Sequence, residues 1–306
     1  MEIISVINYK GGVGKTTVTA NIAGELAFRG KKVLLVDMDA QASLTFSFFS
    51  PKYWLDNIKD EKTIKKWFDQ VAEGKEPDSL NTLILRPKSV NDIVKNNGGV
   101  LDIISSHLGL INVDLDLATL LGGANLDRIK QNYVKVYGRL REAIRNVAKD
   151  KYDIVLIDCP PNFNIVTKNA IVASDKILIP AKPDYLSTLG IDYLKGSLDQ
   201  LVREFNEFII DKSKIINPEI MGIVFTMITI RSQSPISAQK QFIAQVSRGD
   251  LPVFKNYFRD NKTLFSSAPL NRYPVALQRQ TSEPYATIVN EIEAVTTEFI
   301  EKIEGL

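Results

Sequence analysis

Residues 10–17 read Lys-Gly-Gly-Val-Gly-Lys-Thr-Thr, and this stretch decides the fold. An apolar run at residues 3–7 precedes it, and residues 18–26 follow with apolar side chains at helical spacing. A strand, a glycine-rich loop and a helix in this order predict a phosphate-binding loop. The backbone N–H groups of such a loop and the positive end of the helix dipole hold phosphate oxygens. Glycines are needed because the backbone passes close to the phosphates in conformations that a Cβ disfavours.

The side chains of this loop have separate expected roles. Lys15 should lie along the β- and γ-phosphates, the Thr16 hydroxyl should complete a Mg²⁺ shell, and Thr17 should touch the α-phosphate region. The pattern G-x-x-x-x-G-K-[ST] wants glycine at position 9, which is Tyr9, and has no lysine where this chain has Lys10. The predicted nucleotide contacts in the loop are Lys10, Gly11, Gly12, Val13, Gly14, Lys15, Thr16 and Thr17.

The extra lysine is itself informative. The arrangement K-G-G-x-G-K-[ST] resembles the deviant phosphate loop of the ParA/MinD family of ATPases. In that family the extra lysine reaches across a dimer interface to the nucleotide of the partner. The resemblance therefore implies ATP as the nucleotide, a homodimer formed on ATP binding, and catalytic roles for both Lys10 and Lys15.

Two acidic residues follow the next predicted strand. Residues 33–37 form an apolar run that ends in Asp37-Met38-Asp39-Ala40-Gln41, which is similar to the D-x-D-P-Q element of the family with alanine in place of proline. The resemblance implies that Asp39 orients the attacking water as a catalytic residue and that Asp37 supports the metal end of the site. Two solvated carboxylates at a strand end are the alternative.

A third acid, Asp158, directly follows the apolar run at residues 154–157. A carboxylate at the carboxyl end of a buried strand, facing a phosphate loop, can hold Mg²⁺ through water. The predicted metal set is therefore Thr16, Asp37 and Asp158. The Cys-Pro-Pro at 159–161 resembles the switch segment of the family, in which prolines stiffen a loop that senses the γ-phosphate.

The base end of the site is predicted from the resemblance alone. Asn169 falls where the asparagine of the family approaches the base, although a helix-surface asparagine is the alternative. Thr226 and Met227 end a predicted strand where the family contacts adenine. Residues 258–261 and 267–269 resemble its I-P-R-N and S-E-A-P elements, with several substitutions.

The order of predicted elements indicates an α/β fold. Strands are expected at 3–7, 33–37, 101–104, 154–157, 176–180 and 220–226, with helical patterns between most of them. This alternation predicts a doubly wound, mostly parallel sheet with helices on both faces, as in P-loop NTPases. We expect residues 1–306 to form one domain, with a helical or irregular insertion at about 45–100 that is rich in aromatic side chains.

Composition narrows the class of protein. The 306 residues are 44% hydrophobic and 24% charged, with one cysteine, so internal disulfides are excluded. No apolar run approaches membrane-spanning length, and the chain enters its first strand at once. We therefore expect a cytoplasmic protein with no membrane association. The absence of room for a helix-turn-helix domain ahead of the loop makes it resemble the shorter, Soj-like ParA proteins.

Charge is unevenly distributed along the chain. Residues 221–282 carry eight bases and two acids, whereas residues 283–306 carry six glutamates and one lysine. The basic stretch is interleaved with aromatic residues, as a nucleic-acid face can be, although a solvated surface opposite an acidic tail also explains it. The DNA contacts predicted within this stretch are Arg231, Lys240 and Arg248.

These observations predict a ParA-type partitioning ATPase. By resemblance, ATP binding drives a dimer that binds DNA without sequence preference on the nucleoid, and a centromere-binding, ParB-type activator stimulates slow hydrolysis that releases it. The cargo would be a plasmid or chromosome. Two alternatives stay open: positioning of a protein cargo by the same cycle, and a regulatory protein switched by ATP without DNA binding.

Overall fold

The computed structural model describes residues 1–279 and 283–305. Its strands are β1 (Glu2–Val6), β2 (Lys32–Asp37), β3 (Ile84–Leu85), β4 (Val100–Ile104), β5 (Ile154–Asp158), β6 (Lys176–Ala181), β7 (Glu219–Phe225), β8 (Ile230–Arg231) and β9 (Ser234–Pro235). Its helices are α1 (Lys15–Phe28), α2 (Ser43–Phe48), α3 (Pro51–Asn57), α4 (Ile64–Ala72), α5 (Lys88–Val94), α6 (Leu110–Thr119), α7 (Leu126–Ala148), α8 (Ile165–Ala173), α9 (Tyr185–Phe208), α10 (Ser237–Val246), α11 (Lys262–Asn271) and α12 (Glu283–Glu304).

Within these residues, seven strands form one sheet in the order β3-β4-β2-β5-β1-β6-β7. All neighbours are parallel except β3, which pairs antiparallel with β4 at one edge. The register sets Asp158 opposite both Val6 and Asp37. The phosphate loop and two of the predicted acids therefore leave the sheet side by side at its carboxyl edge, where open α/β sheets bind ligands.

Each face of the sheet carries its own apolar layer. Alternate residues of the central strands point to opposite faces, so Ile3 packs in one layer and Ile4 in the other. One layer includes side chains of α4, α6, α7, α8 and α9, and the other includes side chains of α1, α2, α3, α5, α11 and α12. This arrangement confirms the predicted doubly wound α/β fold.

The six expected strands are present, with ends within one residue of the predicted ones. Residues 45–100 are mostly helical and contribute the edge strand β3. The aromatic side chains of this segment are mostly core, since Trp54, Trp67 and Phe68 are buried. The two-residue strands β3, β8 and β9 were not predicted, because such short strands leave no periodic pattern.

The carboxyl-terminal helix packs against the first helix. Glu25 of α1 is 2% exposed and accepts hydrogen bonds from Arg29 Nε and Arg279 Nη2. Arg279 also donates to Glu293 of α12. None of the described helices is both long and apolar enough to cross a membrane.

Candidate nucleotide site

The phosphate loop has the backbone that its glycines permit. Gly12 and Gly14 have φ angles of 68° and 85°, in the left-handed region that disfavours a Cβ. Helix α1 begins directly after Gly14, and its first turn contains no acidic residue. The unpaired N–H groups of that turn face the loop, where an anion is favoured by hydrogen bonding and by the helix dipole.

Lys15 lies inside the loop. Its side chain is buried, and its Nζ donates to the carbonyl oxygens of Asn8 at 3.2 Å and Lys10 at 3.4 Å. Burial lowers the pKa of Lys15, while the nearby Asp158 and Asp39 charges raise it. The ammonium is thus fixed among backbone carbonyls at the position where the phosphate chain is expected.

Asp158 and Thr16 meet at the end of β5. Thr16 Oγ1 donates to Asp158 Oδ2 at 2.7 Å, and Thr19 Oγ1 donates to Asp158 Oδ1 at 3.3 Å. Burial raises the pKa of Asp158 to about 7, although the Thr16 hydrogen bond and the Lys15 charge lower it. The structure therefore brings two members of the predicted metal set into direct contact.

Asp37 is fully buried beside Asp158 and organises the following loop. Its carboxylate accepts from the backbone N–H and the hydroxyl of Thr45 at 2.8 and 2.7 Å, and from the N–H of Asp39 at 3.2 Å. Burial and the Asp158 charge raise the pKa of Asp37 to about 8. The Asp37 carboxylate thus holds the turn that presents Asp39.

These donors fit Mg²⁺. A threonine hydroxyl and a buried carboxylate are hard oxygen ligands, and the second carboxylate, Asp37, lies beside Asp158 in the sheet. The raised pKa values show that this site disfavours two negative charges without a cation, which a divalent ion would supply. Thr16 and Asp158 would hold the ion.

Asp39 lines a cavity of about 560 Å³ that runs from the phosphate loop to α11. Its Oδ1 accepts from the N–H of Gln41, and its carbonyl oxygen accepts from Ser106 Oγ at 2.7 Å. Pro161 of the Cys-Pro-Pro segment lines the same cavity. The carboxylate is thus positioned beside the loop by the turn that Asp37 anchors.

Lys10 does not enter the phosphate cavity of its own chain. Its Nζ donates to both carboxylate oxygens of Asp184 at 2.8 Å and to Ser187 Oγ at 3.3 Å, at the beginning of α9. The Asp184 carboxylate also accepts from the backbone N–H of Ser187 and so caps this helix. The two lysines of the loop therefore differ in place, one inside the loop and one on its outer side.

A second cavity, of about 240 Å³, adjoins the loop at the base end. Thr226 and Met227, which we expect to contact adenine, line it, and Thr226 Oγ1 donates to the carbonyl of Val13 at 2.7 Å. Phe265 lines both cavities, and Tyr273 and Pro274 line the larger one. Sequence analysis did not assign Phe265, Tyr273 and Pro274 to the nucleotide site. The signal that could have indicated them is the nearby resemblance of residues 267–269 to the S-E-A-P element.

Asn169 does not line either cavity. It is fully buried in α8, where its amide donates to the carbonyl of Ile165, and its Oδ1 has no partner among the described residues. The structure therefore does not bring Asn169 to the predicted base end of the site.

The predicted DNA residues are exposed and lie apart from the nucleotide cavities. Arg231 is at the end of β8, Lys240 is on α10, and Arg248 follows that helix. Two other bases of the basic stretch are neutralised by α12, because Arg259 pairs with Glu291 and Arg279 pairs with Glu293. The acidic tail therefore accounts for part of the charge asymmetry and leaves the bases around α10 accessible.

The fold and the phosphate loop define the class of this protein, which is a P-loop NTPase with a doubly wound sheet. A family model described as an AAA domain matches residues 1–210, more than half of the chain. The chain belongs to this family and, within it, to the ParA/MinD-type ATPases. The recognition made from the deviant loop is thereby confirmed.

The chain is also similar to individual proteins, in sequence or in fold. It is 29% identical over 305 residues to the sporulation initiation inhibitor protein Soj of Bacillus subtilis, covering 96% of this chain and 98% of the relative. Its fold is similar to that of a variant of Cyanothece McdA in complex with ATP, with a TM-score of 0.70, 17% identity and coverage of 98% and 96% of the two chains. It is also similar to a plasmid partition protein from Borrelia burgdorferi B31 bound to AMPPNP, with a TM-score of 0.65, 21% identity and coverage of 98% and 99%.

Proposed function

We propose that this protein binds and hydrolyses ATP as a partitioning ATPase, with residues 1–306 acting as one domain. The contact between Thr16 and Asp158, beside Lys15 in a glycine-rich loop, carries the proposal. Thr16 and Asp158 would hold a Mg²⁺ ion there, and the ion would offset the negative charge that develops on the phosphates. Asp39, on the wall of the same cavity, orients the attacking water.

The dimer is the second part of the proposal. Lys10 lies on the outside of the loop, where it is partly exposed and paired with Asp184 in its own chain. An exposed ion pair of this kind contributes only about 0.2–1 kcal/mol, so exchanging Asp184 for the phosphates of a second subunit costs little. ATP binding then stabilises a homodimer in which each Lys10 contacts the nucleotide of the partner.

The dimer binds DNA through the bases around α10, and an activator protein stimulates hydrolysis and so releases it. The exposed positions of Arg231, Lys240 and Arg248 support this, since contacts with phosphates need accessible cations rather than a shaped pocket. Two relatives whose names refer to chromosome partitioning also support DNA as the binding partner. Such contacts are independent of base sequence, as expected for a protein that operates over a nucleoid in the cytoplasm.

A salt series tests the DNA step. Replacing Arg231, Lys240 and Arg248 by glutamate should weaken ATP-dependent binding to two unrelated duplexes equally and leave ATP affinity unchanged. For the unmodified dimer, three to four contacts per subunit predict a slope of roughly −5 to −7 in log K against log salt, since each phosphate contributes about −0.9. The matched control replaces three exposed lysines elsewhere, Lys52, Lys62 and Lys149, by glutamate.

The outcome separates the candidate functions. Equal binding with ADP and ATP, a flat salt dependence, or equal losses in the control variant would remove DNA from the cycle and favour an ATP-switched regulatory protein. Retained DNA binding is compatible with a plasmid, a chromosome or a protein cargo. The likeness to McdA is at 17% identity, which supports the fold and leaves the cargo open.

A further inference from the structure

Tyr9 occupies the position where the standard phosphate-loop pattern has a glycine. Its ring is not among the side chains that line the two nucleotide cavities. The ring packs instead against two other aromatic rings, with its centroid 5.5 Å from that of Phe163 and 5.4 Å from that of Tyr193. The planes cross at 62° and 53°, within the edge-on and tilted arrangements that aromatic pairs prefer. A side chain that the standard loop lacks therefore connects the loop to two other segments.

The two rings that Tyr9 contacts belong to different parts of the molecule. Phe163 follows the Cys-Pro-Pro segment and lies two residues after Pro161, which lines the phosphate cavity. Tyr193 lies on α9, the helix whose start binds Lys10. Consecutive residues of the loop therefore contact α9, Lys10 through an ion pair and Tyr9 through its ring, and Tyr9 also contacts the segment beside the expected γ-phosphate.

The backbone on both sides of Tyr9 is bonded to Lys15. Lys15 Nζ donates to the carbonyl oxygens of Asn8 and Lys10, the residues immediately before and after Tyr9. A triphosphate in the loop attracts the same ammonium and so competes with these carbonyls for it. Asn8 is fixed from another side, because its Nδ2 donates to the carbonyl of Pro180 at 2.7 Å. The position of Tyr9 therefore depends on whether Lys15 is bonded to the backbone or to the phosphates.

Phe163 is held by a second neighbour besides Tyr9. Lys168 Nζ lies 5.6 Å from the centroid of the Phe163 ring and 5.8 Å from that of Tyr137 on α7. An ammonium within about 6 Å of a ring centroid is attracted by the ring quadrupole. Phe163 is half-buried and packs at the margin of the apolar layer, so its place depends on these neighbours. Loss of the Tyr9 ring should therefore loosen the end of the Cys-Pro-Pro segment.

We propose that Tyr9 is a positioning residue that transmits the contact between Lys15 and the phosphates to Phe163, and so holds the Cys-Pro-Pro segment where it can contact the γ-phosphate. The proposal rests on the ATPase function proposed above and on the resemblance of that segment to a γ-phosphate sensor. It deepens that function by naming a residue through which ATP is distinguished from ADP. ADP lacks the γ-phosphate, so the affinity for ATP alone depends on a correctly held segment.

Equilibrium binding of AMPPNP and of ADP tests the proposal, on the full chain at a concentration where it sediments as a monomer. AMPPNP replaces ATP to prevent turnover. Tyr9→Ala should weaken AMPPNP binding about tenfold, the size expected for the loss of two aromatic contacts, and should change ADP binding by less than about twofold. A merely structural role of the ring would weaken the binding of both nucleotides equally.

A conservative variant and a matched control accompany Tyr9→Ala. Tyr9→Phe keeps the ring and should restore the preference for AMPPNP to within about twofold, because the proposal assigns the effect to the ring contacts. Tyr53, which is 49% exposed on α3, stacks on Phe49 with the centroids 5.7 Å apart, so Tyr53→Ala removes a similar contact outside the two cavities and should change neither affinity. If the thermal midpoint shows that Tyr9→Ala does not fold, Tyr9→Leu replaces it and retains apolar volume.

A double-mutant cycle tests whether the effect passes through Phe163. Phe163→Leu alone should also weaken AMPPNP binding more than ADP binding. Tyr9→Ala/Phe163→Leu should bind AMPPNP within about twofold of Tyr9→Ala, because both changes break the same contact. Losses that multiply in the double variant would overturn the proposal.

The binding results separate this role from the proposed function. Equal losses of AMPPNP and ADP affinity in Tyr9→Ala would overturn the role of Tyr9, as would an unchanged preference for AMPPNP in that variant. Failure of the unmodified chain to bind AMPPNP would reject the proposed function and this role with it. Normal binding by the unmodified chain, together with an unchanged Tyr9→Ala variant, would reject the role of Tyr9 alone.

Discussion

The phosphate end and the base end of the nucleotide site are built in different ways. The phosphate end comes from three strand ends that the register places side by side, and its polar groups are buried and bonded to one another, as in the contact of Thr16 with Asp158. The predicted base end is lined by residues within 226–227, 258–266 and 268–274, which belong to loops and helices beyond the sheet. Within the described residues, the hydrogen bond from Thr226 to the carbonyl of Val13 connects the two ends directly.

The difference shows which part of the site is constrained by chemistry. Phosphates require fixed cations and free N–H groups, so few residue types are acceptable at the loop. A base requires a flat apolar slot with a polar edge, which many side chains can provide. We therefore expect substitutions at the phosphate end to abolish function and substitutions at the base end to adjust affinity.

The largest expected effect is at Lys15. Lys15→Ala removes the cation buried inside the loop and should weaken ATP binding by about 100-fold or more, since hydrogen bonds to charged groups contribute about 1.5–3 kcal/mol each. Equilibrium binding of labelled ATP measures this, with Lys62→Ala at an exposed position as the control. Inorganic triphosphate should lose as much affinity as ATP; an intact triphosphate affinity would place Lys15 outside the phosphate site.

Asp39 comes next. Asp39→Ala should lower ATP turnover by about 100-fold, because a positioned carboxylate contributes about 10²–10⁴ to such a step, while ATP affinity stays within twofold. Steady-state phosphate release together with equilibrium binding separates the two quantities. Asp56→Ala, at an exposed position of α3, is the matched control. Unchanged turnover in Asp39→Ala would refute the assignment.

A Lys10 variant separates nucleotide contacts made by the partner subunit from those made by the same subunit. Lys10→Ala should leave ATP affinity of the monomer largely intact and weaken the ATP-dependent dimer at least tenfold, because its ammonium lies outside its own phosphate cavity. Sedimentation with ATP and with ADP measures the dimer. A variant that still dimerises with ATP would contradict the sandwich arrangement.

The smallest effect is expected at the base end. Phe265→Ala should weaken ATP binding about fivefold, in keeping with the roughly 1 kcal/mol that aromatic contacts add beyond burial. Inorganic triphosphate should bind this variant as it binds the unmodified protein. An equal loss for triphosphate would show that Phe265 acts on the loop and would remove the contrast between the two ends.

The same contrast explains how much the sequence could predict. The loop at 10–17 and the acids Asp37 and Asp158 follow from local pattern, because a buried strand ends at each of these acids and the glycines are required by φ. The central strands could also be predicted, because each of them is a short apolar run in the sequence. Phe265 and Tyr273 could not be found in this way, since their place in the site depends on how α11 packs beside α2, which no short pattern encodes. Asn169 shows the converse, because a helix position that matched by resemblance lies in the core.

Helix α1 has one further consequence, for synthesis of the chain. Glu25 is covered by Arg279, which lies 254 residues later, and α12 packs on the same helix. While the chain is being made, the helix that carries Lys15 and Thr16 therefore keeps an uncovered face until Arg279 and α12 have been translated. Contacts of such long sequence separation form slowly and leave apolar surface exposed in the meantime. The helix of the nucleotide loop is thus synthesised long before the contacts that cover it can form.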